Sequence, residues 1–264
     1  MAYIAYLTHG GGPLPLLDEP GHRELVASLK ALAAAVPTPK AILLVSAHWE
    51  AAPVSFTGHP NPSLIHDYYG FPEAAYSLRY PAPGLPALAA RARALLDEAG
   101  LPASVDDTRG FDHGVFVPLS LMYPAAHVPV VEMSVHASLD AATHRRLGEA
   151  LAPLRAEGVA IIGSGSSFHN MAVLMGRDRS PAALEANRAF EEWLGVTLVD
   201  PGLDAAERAR RLDHWHDAPG GRFAHPREEH LMPALVCAGA AGGRAGRVFA
   251  GRMGAANISS VLWE

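Results

Sequence analysis

Fourteen histidines in 264 residues are the chemically conspicuous feature of this sequence. Histidine is the commonest metal ligand and titrates near neutrality, so the positions of these side chains decide what they can do. Three of them follow runs that read as buried strands. His9 follows residues 2–7 in the loop Thr8-His9-Gly10-Gly11-Gly12-Pro13, His48 follows the apolar run 40–46, and His169 follows 159–163. In open α/β sheets ligands bind beyond the carboxyl ends of the strands, so three histidines delivered there point to a metal or catalytic cluster. A fourth candidate, His230, lies in His225-Pro226-Arg227-Glu228-Glu229-His230-Leu231. Pro226 suits the first turn of a helix, which predicts a helix over about 226–238 with His230 one turn in. The segment offers imidazole and carboxylate, the ligand types suited to iron or zinc. Glu228 and Glu229 also fit a solvated first turn that favours the helix dipole, and that is the reading adopted for them.

Other polar residues leave alternatives open. In Arg109-Gly110-Phe111-Asp112-His113-Gly114, Asp112 and His113 could contact a substrate oxygen or stabilise a turn, since Asp bonds readily to nearby backbone. His66 and Asp67 precede Tyr68-Tyr69-Gly70-Phe71-Pro72, either an aromatic pocket wall with His66 facing substrate or a packed loop. His214 and His216 flank Trp215 in a polar stretch and read as surface residues. His22, His127, His136 and His144 do not cluster and read as surface or capping residues. The run Gly163-Ser164-Gly165-Ser166-Ser167 lacks the lysine ending of a P-loop and the spacing of a dinucleotide fingerprint. Nor is it a nucleophile elbow. Its small residues are read as letting His169 approach a crowded site.

These residues need elements to position them. Apolar positions at helical spacing predict a helix over 22–36, which with the strands on either side makes a right-handed βαβ unit. Further helices are expected over 85–99, 139–157 and 181–198, and strands over 128–135 and near 259–263. Residues 51–84 and 104–118 read as loops walling a cleft. Alternating strands and helices predict an α/β fold: a mainly parallel or mixed central sheet with helices on both faces. The absence of a linker or repeat predicts a single domain over 1–264.

Composition narrows the function. Charged residues are 18% and hydrophobic ones 49%, an ordinary folded balance, and the net charge of -6 argues against nucleic-acid binding. One cysteine, Cys237, excludes an internal disulfide framework or a cysteine-rich zinc site. No apolar run approaches the ~20 residues of a membrane helix. Met1-Ala2-Tyr3-Ile4 does not read as a signal peptide, so a cytoplasmic location is expected.

Seven motifs occur in order: Tyr6-Leu7-Thr8-His9-Gly10-Gly11-Gly12-Pro13, Val45-Ser46-Ala47-His48-Trp49, Ile65-His66-Asp67-Tyr68-Tyr69-Gly70-Phe71-Pro72, Tyr80-Pro81-Ala82-Pro83-Gly84, Gly110-Phe111-Asp112-His113-Gly114, Phe168-His169-Asn170 and Glu229-His230-Leu231-Met232-Pro233. Together they resemble the DOPA-dioxygenase type of class III extradiol aromatic ring-opening dioxygenases, which belong with the catalytic chain of protocatechuate 4,5-dioxygenase. The resemblance spans essentially the whole chain. It implies one divalent metal held by His9, His48 and His230, with His169 as catalytic acid/base. It further implies Fe(II) for activity, with Zn(II) able to occupy the site, and a small aromatic diol and O2 as substrates. More distant members use a glutamate as the third ligand, which keeps Glu229 in view. The opening Thr8-His9-Gly10-Gly11-Gly12 differs from the His-Gly-Ser-Pro form of the DOPA-cleaving branch, which leaves the ring substituents open. Two competing readings are a zinc hydrolase working through bound water, and a non-enzymatic interaction protein that keeps the fold and its histidine pocket.

Overall fold

A computed structural model describes residues 1–264, and its organisation follows from a few runs buried on both faces. In chain order it comprises β1 (Ile4–Thr8), α1 (Arg23–Ala34), β2 (Ala41–Ala51), β3 (Val54–Thr57), α2 (Glu73–Tyr76), α3 (Pro86–Glu98), β4 (Ala103–Asp106), α4 (His113–Met122), β5 (Val130–His136) and α5 (Ala141–Leu151). It continues with β6 (Val159–Gly165), α6 (Met171–Leu174), α7 (Pro181–Val199), α8 (Ala205–Asp213), α9 (Gly221–Ala224), α10 (Met232–Ala240), β7 (Arg247–Met253) and β8 (Ala256–Trp263). One eight-stranded sheet runs in the order β4-β3-β5-β2-β6-β1-β8-β7. Its centre, β5-β2-β6-β1, is parallel, while β8 and β7 join antiparallel at one side. At the other side β3 joins β5 antiparallel and β4 parallel. The expected α/β architecture is present, with a mixed sheet.

The central strands are Val/Ile/Leu runs because helices cover both of their faces. The β1–α1–β2 and β5–α5–β6 crossovers move in opposite directions along the sheet, so right-handed connections put α1 and α5 on opposite faces. Helix α10 packs on α5 and on β6, β1 and β2. A continuous cluster of 69 buried hydrophobic residues joins these layers.

Several expectations need correction. Residues 51–84 and 104–118 are not all loop: they hold β3, α2, β4 and the start of α4, elements too short to show a clear period. The helix expected from 226 begins at Met232, because Pro233 and not Pro226 occupies its first turn. His230 therefore lies in the turn before the helix. The α-helix expected to reach 157 ends at Leu151, and a 3-10 turn containing Pro153 follows it. Half-exposed β7 and polar α8 lack the apolar runs that would have announced them.

Candidate metal centre

Three histidines far apart in sequence converge above the parallel strands. His9 lies just past β1, in a backbone whose N–H still bonds to the Gly165 carbonyl of β6. His48 is not beyond its strand but in a bulge within β2. Ser46 pairs with Ser134 and Glu50 with Val135, so residues 47–49 have no partners on β5. Such bulges re-aim side chains beside functional sites. His230 arrives from the turn before α10. Gly165 admits that turn: a Cβ there would lie 2.1 Å from the His230 carbonyl oxygen. Gly163 likewise faces the Pro233 carbonyl oxygen at 2.4 Å. The small residues of 163–167 thus make room chiefly for the His230 segment, a correction to the expectation that they serve His169.

The three side chains offer nitrogens that lie within 4.8 Å of one another, with His9 Nε2 and His48 Nε2 3.1 Å apart. The Ser164 hydroxyl donates to the Gly114 carbonyl, so it must accept from His9 Nδ1–H, at 2.9 Å. That leaves the His9 Nε2 lone pair free. His230 Nδ1 donates to Glu229 Oε1 at 2.9 Å, which frees its Nε2 in the same way. Two imidazole nitrogens ~2.1 Å from one metal stand about 3.0–3.4 Å apart, so the His9–His48 spacing fits a shared ion. Burial, with the neighbouring histidine charges added, holds His9 and His230 well below the ordinary imidazole range and His48 at about 4. All three are neutral near pH 7, the form that binds metal. A three-imidazole set suits iron and zinc alike.

His169 stands beside this group. Its ring stacks on that of His230 with centroids 3.4 Å apart, and its Nδ1 lies 3.3 Å from Glu229 Oε1. Glu229 is buried and faces both rings, not solvent, which corrects the reading of it as a dipole-favouring surface residue. Burial raises its carboxyl, but the bonds from His169 and His230 outweigh that and hold it far below the ordinary range. Arg227 approaches Glu229 Oε2 at 3.3 Å and clasps Glu50, two residues beyond His48, with both guanidinium ends.

His113 packs its ring 3.8 Å from that of His48 and 5.3 Å from that of His9. Asp67 Oδ1 accepts from both its ring Nδ1 and its backbone N–H. Burial raises the Asp67 carboxyl, but these bonds prevail and hold it at about 2. Asp67 was expected only as part of the loop and motif that run from His66 to Pro72, not as a site residue with a role of its own. His66 itself packs with Tyr68, Tyr76 and Phe116, behind the Tyr68 ring that faces His113. Asp112 is fully buried: its carboxylate accepts from Ser46, from the Gly114 N–H that it caps, and from Arg109. With its oxygens so engaged, it braces α4 against β2, and the expectation that it touches substrate is corrected accordingly. His214 and His216 are exposed as expected, whereas His22, His144 and His225 are buried.

A mixed α/β sheet carrying three convergent neutral imidazoles, with a fourth stacked alongside, is the scaffold of a metal-dependent enzyme. The chain belongs to the family described as the catalytic LigB subunit of aromatic ring-opening dioxygenase, whose model matches residues 4–260. It is 44% identical to the dioxygenase tasH of Hapsidospora irregularis, over 91% of this chain and 78% of that protein. It is 42% identical to a 4,5-DOPA dioxygenase extradiol of Beta vulgaris, over 77% of this chain and 74% of that one. Identity to the Escherichia coli K12 protein of the same name is 37%, over 89% and 83%. A crystal structure of an uncharacterized Escherichia coli K12 protein superposes along the whole of both chains with a TM-score of 0.77 at 31% identity.

Proposed function

We propose that this chain is an Fe(II)-dependent extradiol dioxygenase that opens a catechol-type ring with O2, with His9, His48 and His230 as the metal ligands and His169 as acid/base. The observation that carries this reading is the convergence of three imidazoles whose nitrogens lie within 4.8 Å of one another, beside a fourth histidine held by Glu229. Bound Fe(II) would supply open positions for both catechol oxygens and O2 and the redox path between them.

The remaining work falls to side chains. With Nδ1 tied to Glu229, His169 has Nε2 free to take a proton from a catechol hydroxyl and return it later. Asp67 similarly commits Nδ1 of His113, leaving its Nε2 as a polar contact for a ring oxygen. Tyr68 and Phe71, whose rings lie 5.4 Å apart, supply an apolar wall for a flat substrate. The continuous core supports one domain over 1–264. No helix is long and apolar enough to cross a membrane.

The test is anaerobic reconstitution with Fe(II), followed by oxygen uptake on a panel of catechols that includes DOPA. We expect one O2 consumed per ring opened, with no turnover by zinc-loaded protein. Folded, iron-loaded protein that consumes no oxygen with any catechol would overturn the reading. Hydrolysis by the zinc form would replace it with the hydrolase alternative.

A further inference from the structure

His225, which is buried, and Glu191, which has one sealed carboxyl oxygen, are titratable groups that the proposed chemistry does not use, and both lead to the same place. His225 is fully buried, its ring edge-on to Phe190 and Trp215 at 5.3 and 5.8 Å. Its Nε2 meets the Ser167 carbonyl at 2.9 Å, and since a carbonyl only accepts, the histidine must donate. Its Nδ1 has no partner. Burial pushes this imidazole down to about 3, so it is a neutral, permanent Nε2–H donor.

The other polar atoms of Ser167 are held as well. Its N–H donates to Thr8 Oγ1 at 3.1 Å, and its hydroxyl oxygen accepts from the Ser259 N–H at 2.8 Å. The Ser259 hydroxyl in turn donates to Glu191, on α7. Although Glu191 is part-exposed as a residue, its Oε1 is sealed without a partner. Burial raises this carboxyl to about 7 against the pull of the Ser167 and Ser259 hydroxyls. Ser167 lies two residues before His169, and Thr8 lies one before His9. Two further bonds, from His169 N–H to the Ala224 carbonyl and from Asn170 Nδ2 to the Phe223 carbonyl, pin the loop to the segment that leads to His230.

We propose that His225 and Glu191 are positioning residues that hold Ser167, His225 at its carbonyl and Glu191 by way of Ser259, and so set the placement of His169. The proposal rests on the reading of His169 as acid/base. An error of about 1 Å in such a group can cost turnover ~10²-fold without changing what binds. Leucine replaces either side chain with similar bulk and no polar atom. Glutamine keeps a donor at 225, and at 191 an acceptor resembling the neutral acid.

The experiment compares His225→Leu, His225→Gln, Glu191→Leu and Glu191→Gln with the wild type. It reads kcat and KM on the best catechol, iron stoichiometry, and the 15N-histidine ring spectrum of zinc-loaded protein. We expect the leucine variants to lose about 10–100-fold in kcat, with KM and metal content near wild type and the His169 ring signal shifted or split. The glutamine variants should recover most of that loss. If His225→Leu does not fold, Glu191→Leu carries the same expectation. Leucine variants with wild-type kcat, glutamine variants as impaired as leucine, or losses that track missing iron would overturn the proposal. If the wild type opens no catechol, the reading of function fails, and the ring spectrum still decides this one: an unchanged His169 signal in both leucine variants overturns it.

Discussion

At the scale of single residues, four of the clustered histidines have Nδ1 committed to a neighbouring group, which leaves Nε2 free on each. Ser164 does this for His9, and one Glu229 oxygen faces both His230 and His169. The stacked His169 and His230 rings share that carboxylate, yet only His230 belongs to the group whose nitrogens meet those of His9 and His48. That division gives a sharp expectation. His169→Ala should keep its metal and lose about 10²–10⁴-fold in turnover, the range expected for removing a general acid–base group. Metal stoichiometry measured beside oxygen uptake checks it. Loss of the metal in that variant, or full activity with metal in place, would assign His169 a different role.

Elements bring these residues together through close backbone approach. The turn before α10 can deliver His230 because β6 presents hydrogen, not a side chain, at residue 165. Gly165→Ala would place a Cβ 2.1 Å from the His230 carbonyl oxygen, a contact between two backbones that no rotamer relieves. The turn must then move, and overpacking of this kind costs about 1–3 kcal/mol. We expect Gly165→Ala to fold with reduced thermal stability and weaker metal binding, seen by calorimetric titration with zinc. Wild-type affinity in that variant would mean that the turn is held by something other than its fit against β6. The bulge in β2 does comparable work for His48, and Asp112 joins β2 to the start of α4, which carries His113.

For the whole molecule, buried histidines tie stability to pH. His144 is fully buried on α5, where its Nδ1 donates to the Asp140 carbonyl and its Nε2 accepts from the His136 N–H. A protonated ring would lose that acceptor, and burial holds the group at about 4. The unfolded chain titrates near 6.5, so between about 4 and 6.5 it binds a proton that the native state refuses. The contribution is therefore complete above ~6.5 and is lost as pH falls towards 4, by about 2 kcal/mol between pH 7 and pH 5. His225, depressed in the same direction, adds to the trend. Denaturant unfolding at both pH values should show His144→Gln losing less stability on acidification than the wild type. Equal losses in the two proteins would remove His144 from the account.

How much of this was legible beforehand divides along physical lines. The apolar runs at 40–46, 128–135 and 159–163 announce strands buried on both faces, and the helix periods between them imply the α/β order, because burial patterns are local. His9, His48, His169 and His230 stand out for the same reason: strand ends and a proline-marked turn are visible in a few consecutive residues. What the chain order could not decide is which polar residues meet. Glu229 reads as part of a solvated first turn, but the helix begins at Met232 and Glu229 lies buried in the turn before it. Asp67, Ser164 and His225 stand inside short motifs and Glu191 inside a helix, but nothing local shows whom they bond, since their partners are 46, 155, 58 and 68 residues away. The sequence alone determined the class of fold and the candidate ligands. Only the tertiary structure decided their second partners, because the hydrogen bonds that choose a tautomer or hold a ring cross between elements and leave no local period.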